Sequence, residues 1–235
     1  MLDKIVFIFT LTFVHYFGFA ALLYWFYYVF GRERFAQIRL QQRVATRKDF
    51  RREFWLSSVS AGIYAVVLYL CLYAPFFQPY SRMYHSVAEF GVLYWVLSGV
   101  GLLVLHDTWF YWTHRLLHTP YLLKTVHAYH HRSLAPTPFS AFAFHPVEAM
   151  ITVAVYPLAL LLFPVHSCLF MGWWLVIVVG NMFGHLGFEP LQRWIHTKPF
   201  GYFLGSTHHN LHHQNGRIWF GFLFAFWDRR MGTGK

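Results

Sequence analysis

Acidic residues are scarce in this chain: nine Asp and Glu among 235 residues, against nineteen Lys and Arg. Charged residues of both signs make up only 12% of it and hydrophobic ones 57%, whereas a soluble domain is about a quarter charged. That shortage excludes a water-soluble globule and places the chain in a bilayer. Cysteine is nearly absent. Cys71 and Cys168 both lie in apolar stretches, which excludes a disulfide framework, a C-x-x-C site and a cysteine-held iron–sulfur cluster. Carboxylate-bridged metal bundles need Glu-x-x-His pairs, and none occurs here. Nucleotide-binding signals are missing too: Gly99-Val-Gly101 lies inside an apolar run, and the closing Gly-Thr-Gly-Lys is not a phosphate loop. With no repeat, low-complexity linker or compositional break, residues 1–235 read as a single membrane domain. Its first hundred residues are apolar helices and a basic interfacial segment, and residues 101–235 carry the chemistry.

Long charge-free runs supply the helices. Residues 5–30 and 54–77 each exceed the roughly 20 residues that cross a hydrocarbon core. A third run extends from near Val87 to Leu105. Residues 149–184 carry no charge at all, and as one helix they would measure about 54 Å, against a core of about 30 Å. Pro157 and Pro164 interrupt them, so Pro164-Val-His-Ser is expected to turn a hairpin of two short or re-entrant helices. The expected fold is an all-α integral membrane protein of about four to five transmembrane or re-entrant helices with a cytoplasmic histidine-rich helical cap. The first segment is too long for a signal-peptide core and is expected to stay attached.

Orientation follows from the basic residues. Counting crossings puts Lys4 and Arg82 on one side and the other seventeen of nineteen on the opposite side, which the positive-inside rule makes cytoplasmic. The net charge of +10 does not imply nucleic acid. The basic run from Arg32 to Arg52 abuts a span, where anionic headgroups explain it as an interfacial helix.

What the chain has in excess is histidine. Sixteen are present, and all but His15 and His85 fall between His106 and His213. His114 and His118 are four apart, His127, His130 and His131 form an H-x-x-H-H box, and His209, His212 and His213 repeat it. A single histidine on an apolar face is usually a packed residue with one partner, but the same spacing twice is a ligand arrangement. On a helix such spacings gather imidazoles on one face. Eight imidazoles exceed one ion's needs, since catalytic zinc commonly takes three protein ligands. Two ions are the economical inference, because neighbours such as His130 and His131 point about 100° apart on a helix. Imidazole suits iron, zinc, copper or nickel alike. Asp107, Glu148 and Glu189 are placed to orient imidazoles from behind. Two other classes compete: a bis-histidine haem cytochrome, and a membrane metal-binding or transport protein without oxygenase activity. Boxes packed three and four apart argue against the first. A transporter would string ligands along a path at mid-membrane, which argues against the second.

The run from Asp107 to His118 (Asp-Thr-Trp-Phe-Tyr-Trp-Thr-His-Arg-Leu-Leu-His), then His127-Ala-Tyr-His-His131, His145-Pro-Val-Glu148, Asn181-Met-Phe-Gly-His185-Leu-Gly-Phe-Glu189, His209-Asn-Leu-His-His213 and Trp227-Asp-Arg-Arg-Met-Gly-Thr233 closely resembles the fatty acid hydroxylase and sterol desaturase superfamily. The likeness covers about residues 100–233. It implies a membrane-bound non-haem di-iron oxidoreductase with its site on the cytoplasmic side. Such an enzyme uses O2 and external electrons to hydroxylate or desaturate a C–H bond of a lipid such as a fatty acid or sterol. Carried over by motif, the ligands are His114, His118, His127, His130, His131, His185, His209, His212 and His213. Some members have histidine where this chain has Asn181, which makes Asn181 a weak or water-linked ligand or a helix cap. His145 belongs to the pattern in a supporting role. His106, His166, His196 and His208 match no ligand position. The implied cofactors are two ferrous ions. Since the chain holds no redox group of its own, a separate donor of cytochrome b5 or ferredoxin type is expected, drawn to a basic face that includes Arg115, Lys124, Arg132 and Arg217.

Overall fold

A computed structural model describes residues 2–191, 194, 197 and 200–234; His196 lies outside them. Helix α1 (Leu2–Tyr24) passes into a π-helical turn, Trp25–Phe30, ended by Gly31. Helix α2 (Arg47–Tyr73) begins at a capping box. The Thr46 hydroxyl accepts from the Asp49 N–H (3.3 Å), and the Asp49 carboxylate accepts from the Thr46 N–H (2.9 Å). It stops at Ala74, where Pro75 disfavours a further helical residue. Strand β1 (Met83–Tyr84) and helix α3 (Gly91–Leu117) follow. Two short helices, α4 (Pro120–Leu122) and α5 (Ala128–His131), flank a π-helical stretch, Leu123–His127. Then come α6 (Pro146–Val153), α7 (Val155–Leu162), strand β2 (Val165–His166), α8 (Ser167–Gly184), α9 (Ser206–Asn215) and α10 (Phe226–Arg230).

The protein is a helical bundle, and among the described residues four helices are long and apolar enough to cross a membrane: Leu2–Phe30, Arg47–Tyr73, Gly91–Leu117 and Ser167–Gly184. The 149–184 stretch divides as its prolines dictate. Pro157 has no N–H to offer the carbonyl one turn back, and the chain breaks between α6 and α7 beside Ala154. The turn falls at Pro164, after which the His166 imidazole accepts from the Cys168 N–H (3.1 Å) and starts α8. The basic segment differs from expectation. Residues 31–46 form turns rather than an interfacial helix, because their backbone is tied to the segment after α8: Leu40 N–H donates to Gly187 O (2.9 Å) and Glu189 N–H to Ile38 O (2.9 Å). Its last basic residues open α2 instead.

The reversals after α2 and α7 meet at one end of the bundle, with the start of α1. There Lys4 lies over the Tyr73 ring (4.2 Å), β1 pairs in parallel with β2, and the Arg82 backbone and guanidinium donate to Leu160 O and Leu162 O. The histidine-bearing segments therefore share the other end. Between the ends, Tyr16 locks α1 and α2 to the loop before α6. Its hydroxyl donates to Phe139 O (2.7 Å), accepts from Phe142 N–H (3.1 Å) and touches the Ser57 hydroxyl (3.2 Å), and the ring stacks on Phe142. Tyr16 is fully buried, so Tyr16→Phe strands the Phe142 N–H and is expected to destabilise the protein by about 1–3 kcal/mol. Thermal unfolding in detergent should show the loss with little change in helix content.

Candidate metal centre

Nine imidazoles converge at that end, in two groups. His114, His118, His127, His131 and His212 form one, and His130, His185, His209 and His213 the other. Within each group the donor atoms all lie within 4.8 Å of one another. Each box is divided: the residues four apart, His127 with His131 and His209 with His213, stay together, while the intervening His130 and His212 cross to the opposite group. The groups share a wall, for the rings of His131 and His213 are 4.7 Å apart. Such spacing leaves no room for a porphyrin between imidazoles.

Backbone and carboxylate acceptors set the proton on each ring. The Nδ1–H of His114 donates to Phe220 O (2.9 Å), that of His185 to Asn181 O (2.8 Å) and that of His212 to Ile218 O (2.7 Å). His127 Nδ1–H donates to the buried Glu148 carboxylate (2.7 Å). An oxygen of this kind only accepts, so each neutral ring carries its proton on Nδ1 and presents a bare Nε2. Yet the Nε2 atoms face one another. His114 and His127 are 3.2 Å apart there, His118 and His131 3.1 Å, and His131 and His212 3.2 Å. In the other group His185 Nε2 lies 3.1 Å from that of His130 and 2.9 Å from that of His209, which lies 3.0 Å from that of His213. Two bare lone pairs, as between His114 and His127, cannot hydrogen-bond; they repel unless a cation lies between them. Imidazoles at about 2.1 Å from one ion and at right angles to each other place their nitrogens about 3.0 Å apart. The donor set therefore fits two metal ions.

Burial keeps the rings neutral and ready to ligate. It lowers the His131 and His185 pKa values to about 4 and that of His118 to about 2, and depresses those of His127, His130, His209, His212 and His213 well below the usual value, with neighbouring imidazoles adding to the effect in most. The folded apo-protein thus binds fewer protons than the unfolded chain below the ordinary histidine pKa of about 6.5. Its stability is fully present above that pH and falls as pH drops toward 4. Apo-protein melting scanned from pH 7 to about 5 should show a steady fall in Tm.

The loop that supplies two of those carbonyls is held under strain. Trp219, between Ile218 and Phe220, has φ of 57°, a left-handed conformation that costs a bulky residue about 1–2 kcal/mol. Buried Asp228 holds it there by accepting from Phe220 N–H (2.9 Å), Gly221 N–H (2.8 Å) and the Thr233 hydroxyl (2.7 Å). Gly221 admits no side chain, since a Cβ would come within 2.7 Å of that carboxylate. At the end of α9, Gly216 takes φ of 66° and donates its N–H to His212 O, closing the helix that bears the last box.

Other expected residues sit apart from the rings. Asp107 accepts from Leu223 and Phe224 N–H groups (2.8 and 3.0 Å), Glu189 from Thr207 and Leu191 N–H groups (2.8 and 3.2 Å), and His145 from Val147 N–H (3.2 Å) at the start of α6. They fix the backbone around the clustered imidazoles, whereas Glu148 touches one of those imidazoles, His127, directly. Asn181 donates its side-chain amide to Ala141 O (2.9 Å) and borders the same small cavity as His114, His127, His130, His185 and His209. Two further buried carboxylates support the site. One is Asp228, which lies within the resembling C-terminal run. The other is Glu53, fully buried, which accepts from Ser133 (2.7 Å) and Thr137 (3.3 Å) just after the first box. Glu53 adjoins the charge-free run that begins at residue 54, and a lone acid beside a span was its signal.

An apolar cavity of about 440 Å³ opens beside the second group, between the end of α8 and the segments 203–205 and 221–223, and reaches His209 and Asn181. A larger one of about 810 Å³, beside Trp227 and Arg229, touches none of the clustered histidines.

Comparison with known proteins gives this centre a family. The fatty acid hydroxylase model matches residues 99–233, which is more than half of the chain. The chain belongs to the fatty acid hydroxylase family. Among its relatives in the wider superfamily with the sterol desaturases are the lathosterol oxidase of Rattus norvegicus, 29% identical over 229 residues (95% of this chain, 72% of the relative), and a Delta(7)-sterol 5(6)-desaturase of Gibberella zeae, 28% identical over 221 residues (92% and 63%). Methylsterol monooxygenase 1 of Gallus gallus is 31% identical over 133 residues (57% and 44%). No solved structure matches the chain. Family membership and four apolar helices make this an integral membrane protein.

Proposed function

We propose that the chain is a membrane oxidoreductase that binds two iron ions and uses O2 and electrons from a separate donor to hydroxylate or desaturate a C–H bond of a lipid. The observation that carries this reading is the pair of bare Nε2 atoms of His114 and His127, 3.2 Å apart with no proton to share, within one of two imidazole groups whose donor atoms lie within 4.8 Å of one another. His114, His118, His127, His131 and His212 would hold one ion. His130, His185, His209 and His213 would hold the other, with Asn181 beside them. When bound, the iron pair supplies the O2 activation that breaks an unactivated C–H bond.

The chain's own residues do the rest. Glu148 and the carbonyls of Phe220, Asn181 and Ile218 hold four Nδ1 protons in place, which keeps the Nε2 lone pairs aimed inward. The apolar cavity beside His209 and Asn181 takes the lipid and excludes water. Sterols lead the lipid classes because the relatives are named for them, and a fatty acid remains the alternative. Most basic residues share the histidine end, so we assign that end to the cytoplasm. There the exposed Lys124, Arg132 and Arg217 offer a docking charge to an acidic electron donor of cytochrome b5 or ferredoxin type.

Expression beside such a donor in a host whose lipids are profiled by mass spectrometry tests the proposal. A sterol or acyl lipid should gain one oxygen or lose two hydrogens. Unchanged lipids, with iron bound and the donor reduced, would overturn it.

A further inference from the structure

Below the metal centre, toward the middle of the membrane, three buried polar atoms lack a hydrogen-bond partner among the described residues: His106 Nδ1, Tyr156 Oη and Trp173 Nε1. Their side chains are packed together, with ring centroids 5.7 Å apart for His106 and Trp173, 4.6 Å for Tyr156 and Trp173, and 6.3 Å for His106 and Tyr156. All three are at least nine-tenths buried. Stranding one such group in an apolar interior is costly, and stranding three at one place calls for a ligand that supplies the missing bonds. His106 and Tyr156 border a small cavity of about 20 Å³, roughly the space one oxygen-sized group needs.

Shared walls place this cavity next to the chemistry. Asn181 borders it, the small cavity among the histidines and the 440 Å³ apolar cavity alike, and Phe222 separates it from the last of these. His106 lies two turns before His114 on α3, a rise of about 12 Å. A lipid in the apolar cavity whose far end turns the Phe222 ring aside thus meets His106 and Tyr156, with Trp173 packed against both. The ligand must be small, uncharged and able both to accept from an indole N–H and to bond with a phenol and an imidazole. A hydroxyl meets all of these requirements.

We propose that His106, Tyr156 and Trp173 form a hydroxyl-binding subsite that receives the alcohol group of the lipid substrate and so sets which carbon lies at the metal centre. This rests on the lipid-oxidase reading above. A single trapped water has the same chemistry, and the test separates the two sources.

Equilibrium binding of radiolabelled lathosterol and hexadecanol, each compared with its own methyl ether, is measured on the iron-loaded protein in lipid nanodiscs. The subsite predicts that at least one alcohol binds about tenfold or more tighter than its ether. Tyr156→Phe and Trp173→Phe, which keep an aromatic ring, should each shrink that preference while iron content stays at the wild-type level. His130→Ala, which strikes the metal centre alone, should leave it intact. If no alcohol is preferred over its ether, or the preference survives both aromatic variants, the groups hold only water and the subsite is refuted. Because the readout is binding and not turnover, that failure leaves the oxidase reading standing, and a failure of turnover leaves the subsite standing.

Discussion

His130→Ala should abolish lipid oxidation, by about three orders of magnitude or more, while removing only one of the two metals. The first loss follows because a bound metal contributes several kcal/mol to stabilising the reacting charge, and each 1.4 kcal/mol or so is a factor of about ten. The second follows from the geometry. His130 serves only the group with His185, His209 and His213, whereas its neighbour His131 serves the other. Elemental analysis should therefore find about one iron in the variant and about two in the wild type. His127→Ala should empty the opposite site with the same kinetic result. Retention of both ions in either variant would mean that the groups are not separate sites.

Glu148 is the second place where a large effect is expected. Its carboxylate is buried and takes the Nδ1 proton of His127 at 2.7 Å, so it fixes both the tautomer and the aim of a ligand. Outer partners of this kind are worth about 10–100-fold in metal affinity or activity. Glu148→Ala should weaken one iron by that factor and lower the melting temperature of the apo-protein as well, since it strands a buried N–H. Glu148→Gln keeps an acceptor oxygen in place and should recover much of the affinity. Competition with a chelator of known strength, followed for both variants, reads the difference. Equal loss in the two would show that negative charge, and not hydrogen bonding, is what His127 needs.

Much of this was legible in the residues because the bilayer simplifies the problem. Apolar run length gave the spans, and the break at Pro157 with the turn at Pro164 gave the hairpin, because a proline removes a helix bond wherever it stands. Hydropathy starts α2 several residues late, since the capping box at Thr46 and Asp49 lies within a basic stretch that it does not count. The histidines were found by spacing, and His185 by family likeness. Their distribution was only half legible. The separation of His130 from His131 follows from helix geometry, but the crossing of His130 and His212 to the opposite groups depends on how α5 and α9 meet. His127 ends a π-helical stretch and does not sit in a regular α-helix, which no spacing rule anticipates. The Phe220, Ile218 and Asn181 carbonyls were invisible for a more basic reason. A carbonyl is common to every residue, and only the left-handed turn at Trp219, held by Asp228, aims two of these at imidazoles.

The most direct measurement is the iron count of anaerobically loaded protein, with Mössbauer and X-ray absorption spectra taken on the same sample. Two imidazole groups predict about two ferrous ions per chain, each in a shell of imidazole nitrogens at about 2.1 Å. One ion or none at saturation, or a shell dominated by sulfur, would contradict the account.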